Sequence, residues 1–558
     1  MNKLKLTAVI SSFALTLSFF SGCQKVQRVG NITDGLIEEI TETTETVTSA
    51  ITTDTTTVET YPEYPVTYPE IKPADMGQKY QAEEYITNTD FQSETAISGF
   101  EGTGYITGFN GNNLLDFQVS VPTNQHYDLT FCISAESEIL CSIQINERKI
   151  GQFKTNAEGK FTKITMHGVF LTEGASSVAI SSDGNDMAVD YLEISNNTSL
   201  KDIGYNNNST LSNANAGESA QELMQFLSDN YGKYVITGQY ASDNTNSEID
   251  LIYSITGKKP AIRFSALQTS YASYDESFRD IDACADWYRN GGIVGLMWYW
   301  RSPDEKASVY AEETDFRISD AITDIDISCM TQEEIRGLYG EGKISKECYG
   351  IILDIDNMAG QLMSLKDKGI PVLWRPIHEA SGEWFWWGAS GADDYRWLWK
   401  LMYTRMTEYF ELDNLIWIWN GQSKEYIVPS DTFDIASMDI YISPDKEYGS
   451  QYEYFASLQD FIGQDKLIAL SECSSIPDID SVFRDNSVWS FFGLWYGEYL
   501  TDNNGNISEK YMPREYLIKN YNSAGTMTLD KYQELTGYEP PEITEPHTEN
   551  TSETQKST

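Results

Sequence analysis

The chain has 558 residues, 84 of them acidic and 39 basic, for a formal net charge of −45. That length exceeds a single compact domain, so two domains with tails are expected. Self-repulsion on this scale argues against nucleic acid and anionic membrane as binding surfaces, and it suits a solvated protein acting on a neutral ligand.

Residues 1–23 read as an export signal. Lys3 and Lys5 precede an apolar run from Leu6 to Phe20 that is too short to span a bilayer comfortably. The run ends in Phe20-Ser21-Gly22-Cys23, which resembles a bacterial lipobox. Cys23 would then carry lipid and hold the protein at the outer face of the cell membrane, with plain secretion as the alternative. Residues 24–78 are Thr-, Glu- and Pro-rich and cannot bury enough apolar surface to fold, so an extended stalk is expected. The other six cysteines show no C-x-x-C spacing. Either a Cys132–Cys141 bridge across a hairpin or free buried thiols would fit.

Residues 79–197 alternate with period two in short runs, such as Leu115-Asp116-Phe117-Gln118-Val119 and Ser142-Ile143-Gln144-Ile145. This predicts an all-β, jelly-roll-like sandwich. Tyr80-Gln81-Ala82-Glu83, Ser98-Gly99-Phe100-Glu101-Gly102-Thr103-Gly104-Tyr105-Ile106 and Val189-Asp190-Tyr191-Leu192-Glu193-Ile194 resemble carbohydrate-binding module family 35. The resemblance implies a structural calcium held by Glu83 and Asp190, with Gln81 standing where the family usually has Glu. This segment holds none of the 13 Trp residues, so a sugar platform here would be Tyr105 or Phe109.

After an Asn/Ser-rich linker (198–214), residues 215–537 alternate apolar strand-like runs with helical patterns. Eight candidate strands run Tyr234–Thr237, Ala261–Phe264, Ile293–Trp298, Val372–Trp374, Leu415–Trp419, Ile435–Met438, Leu467–Leu470 and Val488–Leu494. Eight β/α units predict a (β/α)8 TIM barrel whose active residues follow the strand ends. Residues 538–558 read as a disordered tail.

The fourth strand runs into Trp374-Arg375-Pro376-Ile377-His378-Glu379 and on to Trp384-Phe385-Trp386-Trp387-Gly388. One cation, one imidazole, one carboxylate and several indoles suit work on sugar, since aromatic rings stack on the C–H faces of pyranosides. Glu472 ends the seventh strand, across a barrel mouth from Glu379. Two such carboxyls can serve as acid/base (Glu379) and nucleophile (Glu472) in retaining glycoside hydrolysis. Arg375 would orient a carboxylate or a substrate hydroxyl, or form a structural salt bridge. His378 is the only His of the barrel segment, which argues against a Ser-His-Asp triad or a His-rich metal site. It is expected to contact a substrate hydroxyl, with Trp384 and Trp387 lining the sugar cleft.

The long motif at Trp374–Gly388 and the Ser471-Glu472 pair resemble glycoside hydrolase family 26, mainly β-mannanases, across nearly all of residues 217–537. The resemblance implies that Tyr441, in Met438-Asp439-Ile440-Tyr441, hydrogen-bonds the nucleophile and that Trp495 is a sugar-stacking platform. Trp298-Tyr299-Trp300 departs from the family's usual His between two aromatics, so Tyr299 becomes the candidate contact there. The expected activity is an endo-β-1,4-mannanase, monomeric, using no cofactor in catalysis and taking β-mannan as its partner. A β-glucanase or β-1,3-xylanase on the same scaffold, or a non-catalytic surface glycan-binding protein, are the alternatives.

Overall fold

A computed structural model describes residues 58–66 and 78–539, apart from 87–89, 124, 198–204, 206, 243, 268–276, 443, 445–447, 464 and 503. The expected leader with Cys23, most of the 24–78 stalk and the tail beyond 539 lie outside the described residues. Contacts divide the chain into two units, one holding the segment up to Ile203 and the other Gly204 onward together with residues 59–66.

The first unit is an antiparallel sandwich. One sheet orders Gln92–Glu94, Tyr105–Thr107, Ala188–Asn196, Gln125–Ser134 and Thr162–Leu171, with Gln78–Gln81 also pairing with Ala188–Asn196; the other orders Leu115–Val121, Gly174–Ser182, Leu140–Ile145 and Arg148–Lys154. The period-two pattern places Phe117, Val119, Ile143 and Ile180 of one sheet against Leu129, Phe131, Ile133 and Leu192 of the other. Tyr105 and Phe109 are core residues, 2 % and 3 % exposed, and so cannot present a platform to sugar. Cys132 and Cys141 fall in different sheets as free buried thiols. Burial pushes both thiols up to about 12.

The second unit is a closed barrel of eight parallel strands. They are β1 (Gly238–Ala241), β2 (Ile262–Leu267), β3 (Ile293–Trp298), β4 (Val372–Arg375), β5 (Leu415–Trp419), β6 (Ile435–Ile440), β7 (Leu467–Cys473) and β8 (Phe492–Leu494). Seven strands overlap their expected positions. The first does not: Val235–Ile236 pairs with Thr526–Met527 outside the barrel, and the less apolar Gly-Gln-Tyr-Ala run takes its place. The reason lies inside the barrel. The Phe264 ring fills the interior so closely that a Cβ on Gly238 would stand 2.5 Å from it, and one on Gly295 2.1 Å. Glycine is required at those two positions, one in β1 and one in β3, while Tyr240 of β1 stacks on the same ring (centroids 4.8 Å).

The barrel also reaches into segments expected to be linker and stalk. Tyr205 Oη accepts from Val488 N–H (2.8 Å), and Asn213 Nδ2 donates to Leu412 O (3.1 Å). Upstream, Tyr64 N–H donates to Asn522 O and Tyr64 O accepts from Ala524 N–H, each at 2.8 Å, a parallel bridge beside Ser523. The 59–66 segment is thus strapped to the barrel at Tyr64, and the stalk does not run unbroken through 24–78.

Candidate active site

β4 ends on Arg375, and Pro376 behind it has no N–H to continue the ladder. The chain then turns through three left-handed non-glycine residues, Ile377 (φ 37°), Glu379 (φ 50°) and Glu383 (φ 59°). Strain of this kind persists where surrounding contacts over-determine the backbone. Here Glu379 N–H donates to Asn420 Oδ1 (2.8 Å), just past β5, and the Trp384 indole donates to Glu379 Oε2 (3.1 Å).

The facing carboxyl owes its direction to a bulge. Between β6 and β7 the register runs Met438↔Leu470 and then Asp439↔Glu472, leaving Ser471 as the extra residue. A bulge lets successive side chains escape strict alternation. Ser471 Oγ donates to Asp439 Oδ1 (2.6 Å) while Glu472 turns to the same cluster. Arg375 Nη2 donates to Glu472 Oε1 and to Tyr240 Oη, Arg375 Nη1 donates to Asp439 Oδ2 (2.8 Å), and Tyr441 Oη donates to Glu472 Oε2 (2.5 Å). Carboxylate oxygens of Glu379, Asp439 and Glu472 all lie within 4.8 Å of one another.

Three acids and one guanidinium in a buried space cannot all be charged, and the hydrogen bonds decide where a proton sits. Burial, then the charges of Asp439 and Glu472, push the Glu379 pKa well above the ordinary carboxyl range, with Arg375 and the Trp384 indole pulling the other way. Glu472 is also raised, to about 7, by burial and by Asp439, but Arg375 and the Tyr441 hydroxyl pull against the shift. Glu379 is therefore the protonated member. Asp439 is raised chiefly by burial, with Arg375, Ser471 and Asn420 opposing. A cation on these three oxygens would meet a guanidinium already bonded to two of the acids, so the trio reads as a proton-sharing cluster.

Trp384, Tyr441 and Trp495 are half-buried at the mouth, with Trp495 packed on Tyr240 (ring centroids 4.7 Å) and Tyr496 (4.8 Å). His378 is 2 % exposed among Tyr299, Phe385 and Trp387, with no hydrogen-bond partner at Nδ1 among the described residues. Burial and then the Arg375 charge hold its pKa well below the usual imidazole value, so the ring is neutral. Two expectations are corrected. Trp387 is 0 % exposed and stacks behind Phe385, so it backs the cleft rather than lining it. Arg375, 2 % exposed, gives Nη1 and Nη2 to Asp439, Glu472 and Tyr240, the carboxylate-orienting alternative rather than a substrate hydroxyl, and its Nε has no hydrogen-bond partner among the described residues.

The family described as glycosyl hydrolase family 26 matches residues 212–520. The chain belongs to glycosyl hydrolase family 26. It is similar to mannan endo-1,4-beta-mannosidase A of Piromyces sp, 30% identical over 81% of this chain and 72% of the relative. A crystal structure of a Podospora anserina GH26-CBM35 beta-(1,4)-mannanase is 28% identical, with TM-score 0.54, over 82% of this chain and 99% of that one. A β-mannanase from a symbiotic protist of the termite Reticulitermes speratus, complexed with gluco-manno-oligosaccharide, is 28% identical over 59% of this chain and 99% of its own, with TM-score 0.52.

Sequence reasoning missed three residues of this family 26 site. Tyr240 was hidden by the misplaced first strand. Asp439 lay inside a quoted motif but was given no part. Asn420 follows Trp419 at the end of β5, where a polar residue behind a barrel strand is itself a signal.

In the first unit, Asp190 is 0 % exposed and both its oxygens accept from Glu101 N–H (3.2 and 3.1 Å). Burial pushes its pKa up to about 6, and the charges of Glu101 and Glu83 add to the rise. Glu83 Oε1 accepts from Thr103 N–H (2.6 Å), Thr103 Oγ1 (3.0 Å) and Gly104 N–H (3.3 Å). Glu83 Oε2 and Gln81 Oε1 are buried without a hydrogen-bond partner among the described residues. Gly102 passes over them so closely that a Cβ would stand 2.5 Å from Glu83 Oε1 and 2.9 Å from Gln81 Oε1. Buried, unpartnered hard oxygens are what a calcium ion would satisfy.

Proposed function

We propose that the protein is an endo-β-1,4-mannanase that hydrolyses mannan or galactomannan with retention of anomeric configuration. The observation that carries the reading is the approach of the Glu379 and Glu472 oxygens to within 4.8 Å, with a cationic and a hydroxyl donor on Glu472 and an indole N–H on Glu379. A retaining pair stands about 5–5.5 Å apart, whereas an inverting pair needs room for water. The substrate is supported by the relatives, which are named mannan endo-1,4-beta-mannosidases.

The Glu379 carboxyl gives its proton to the glycosidic oxygen as Glu472 attacks the anomeric carbon, so the C–O bond breaks and a glycosyl ester forms. Esterification removes the Glu472 charge, one of the causes of the raised Glu379 pKa. Glu379, now a carboxylate, takes a proton from water, the oxygen of that water attacks the same carbon, and Glu472 leaves as carboxylate. Trp384 holds Glu379 Oε2 through both steps, Trp495 offers a stacking face, and Tyr299 is the candidate for a substrate hydroxyl, His378 being 2 % exposed with its Nδ1 buried. The leader and Cys23 extend the proposal to a monomeric protein at the bacterial cell surface, with the sandwich as a glycan-binding module.

Reducing-end release from mannan, galactomannan, mixed-linkage β-glucan and β-1,3-xylan, with the anomer of the first product followed by NMR, tests this. Mannan hydrolysis giving β-anomer first is expected. Preference for β-glucan or β-1,3-xylan would favour the relatives on the same scaffold, release from none a glycan-holding protein, and α-anomer first would end the retaining mechanism.

We further propose that Gln81, Glu83 and Asp190 hold a structural calcium, which would supply charge for the orphaned oxygens. Chelation is expected to lower the unfolding temperature of the sandwich by several degrees, calcium to restore it, and Glu83→Ala to abolish the response. A transition indifferent to both chelator and calcium would remove the ion from the account.

A further inference from the structure

We propose that Asn420 is the positioning residue of the acid/base, fixing Glu379 at the distance from Glu472 that protonation of the leaving oxygen requires; this rests on the retaining mechanism above. Asn420 is 0 % exposed at the end of β5. Its Oδ1 accepts from Glu379 N–H (2.8 Å) and from Gln422 Nε2 (3.3 Å). Its Nδ2 donates to Ser437 Oγ (2.9 Å), Ser471 Oγ (2.9 Å) and Asp439 Oδ1 (3.1 Å).

Two features make this more than a satisfied core amide. Glu379 is held left-handed at φ 50°, a conformation uncommon outside glycine, and the N–H that Asn420 takes belongs to that residue. The same amide ties the Glu379 backbone to Asp439, whose other oxygen takes Arg375, which in turn holds Glu472. One side chain thus joins the loop carrying the acid to the cluster carrying the nucleophile. Only a carboxamide offers an acceptor at one end and two donors at the other in this shape.

The two ends of that chain are unequal. Glu472 keeps Arg375 and Tyr441 without help from Asn420, and Asp439 keeps Arg375 and Ser471. Glu379 loses the acceptor that pins its backbone. Removing Asn420 therefore disables the acid and spares the nucleophile, and substrates that need different amounts of protonation read that asymmetry.

The full-length protein and its Asn420→Ala variant are compared on mannan and on 2,4-dinitrophenyl β-mannobioside, whose leaving group departs without a proton. On mannan, kcat/KM is expected to fall by roughly 100-fold, within the range for general-acid catalysis. On the aryl substrate kcat/KM stays within about threefold, while kcat and KM fall together because base-assisted breakdown of the glycosyl ester is slowed. A merely structural role would lower kcat/KM on both substrates alike, and that result, or an unchanged rate on mannan, overturns the proposal. Should Asn420→Ala show no cooperative unfolding transition, Asn420→Ser is read by the same ratio. If the unsubstituted protein cleaves neither substrate, the mannanase reading fails first, and the two failures are distinct.

Discussion

Glu472→Gln is expected to lose turnover on mannan by on the order of 10⁴-fold or more, in line with removal of a covalent nucleophile. At 10⁴-fold this is about 5.5 kcal/mol of transition-state stabilisation. The substitution keeps shape and buries no new void, yet an amide cannot form the glycosyl ester. Stability should move the other way. Arg375 retains Asp439 and Tyr240, so no buried cation is abandoned, and one of three crowded acids disappears. The unfolding midpoint is therefore expected at or above that of the unsubstituted protein, the trade seen where sites hold strained charge. A second readout is the Glu379 pKa, which should fall in the variant because the Glu472 charge is among its raising causes; carboxyl-carbon NMR follows it. Turnover above about a hundredth of the original, or a Glu379 pKa that fails to move, would take Glu472 out of the nucleophile role.

How far the sequence was legible divides along physical lines. Both layers of the sandwich and seven barrel strands follow from periodicity, because burial imposes period two on a one-sided sheet and continuous apolarity on a parallel strand. Leu415–Trp419 is buried at every residue, as its composition predicts. β1 broke that rule: Gly238 must leave room for the Phe264 ring on which Tyr240 stacks, and a Gly-Gln-Tyr-Ala run is not marked as a buried strand by composition. Chemistry at strand ends was equally legible for Glu379 and Glu472, which are brought together from distant segments. What residue type could not convey was direction. Trp384 and Trp387 stand three apart in one motif, and the turn through Glu383 leaves the first half-exposed while stacking the second inside. Arg375 looked as fit for a sugar hydroxyl as for a carboxylate until the bulge at Ser471 brought Glu472 onto it. Asn420 was marked only by its place behind a barrel strand; its bond to the Glu379 N–H could not be read from residue type, since every residue but proline carries that group. The strap at Tyr64 escaped for the same reason: its hold on Asn522 and Ala524 is main chain to main chain.

Glu379→Ala separates the proton from the rest of the mechanism. On mannan, whose leaving oxygen is a poor alkoxide, kcat/KM should fall by roughly 10²–10⁴-fold. On 2,4-dinitrophenyl β-mannobioside the first step needs no acid, so kcat/KM is largely kept while the glycosyl ester accumulates in a burst. The pH profile carries the sign. Glu379 must hold its proton to act as acid, and its pKa is raised, so the unsubstituted protein loses kcat/KM on mannan as pH rises through that value. Glu472 must be ionised, so the acid limb appears as pH falls through the pKa raised to about 7; both limbs are properties of the coupled cluster rather than of single groups. In the residual mannan activity of Glu379→Ala, the basic limb should be absent and the acid limb remain. Persistence of the basic limb would mean that another group donates the proton. Asp439 is poorly suited to that part: buried at 1 % exposure and bonded to Arg375, Ser471 and Asn420, it can neither reach a glycosidic oxygen nor give up a proton without breaking the contacts that hold Glu472 in line.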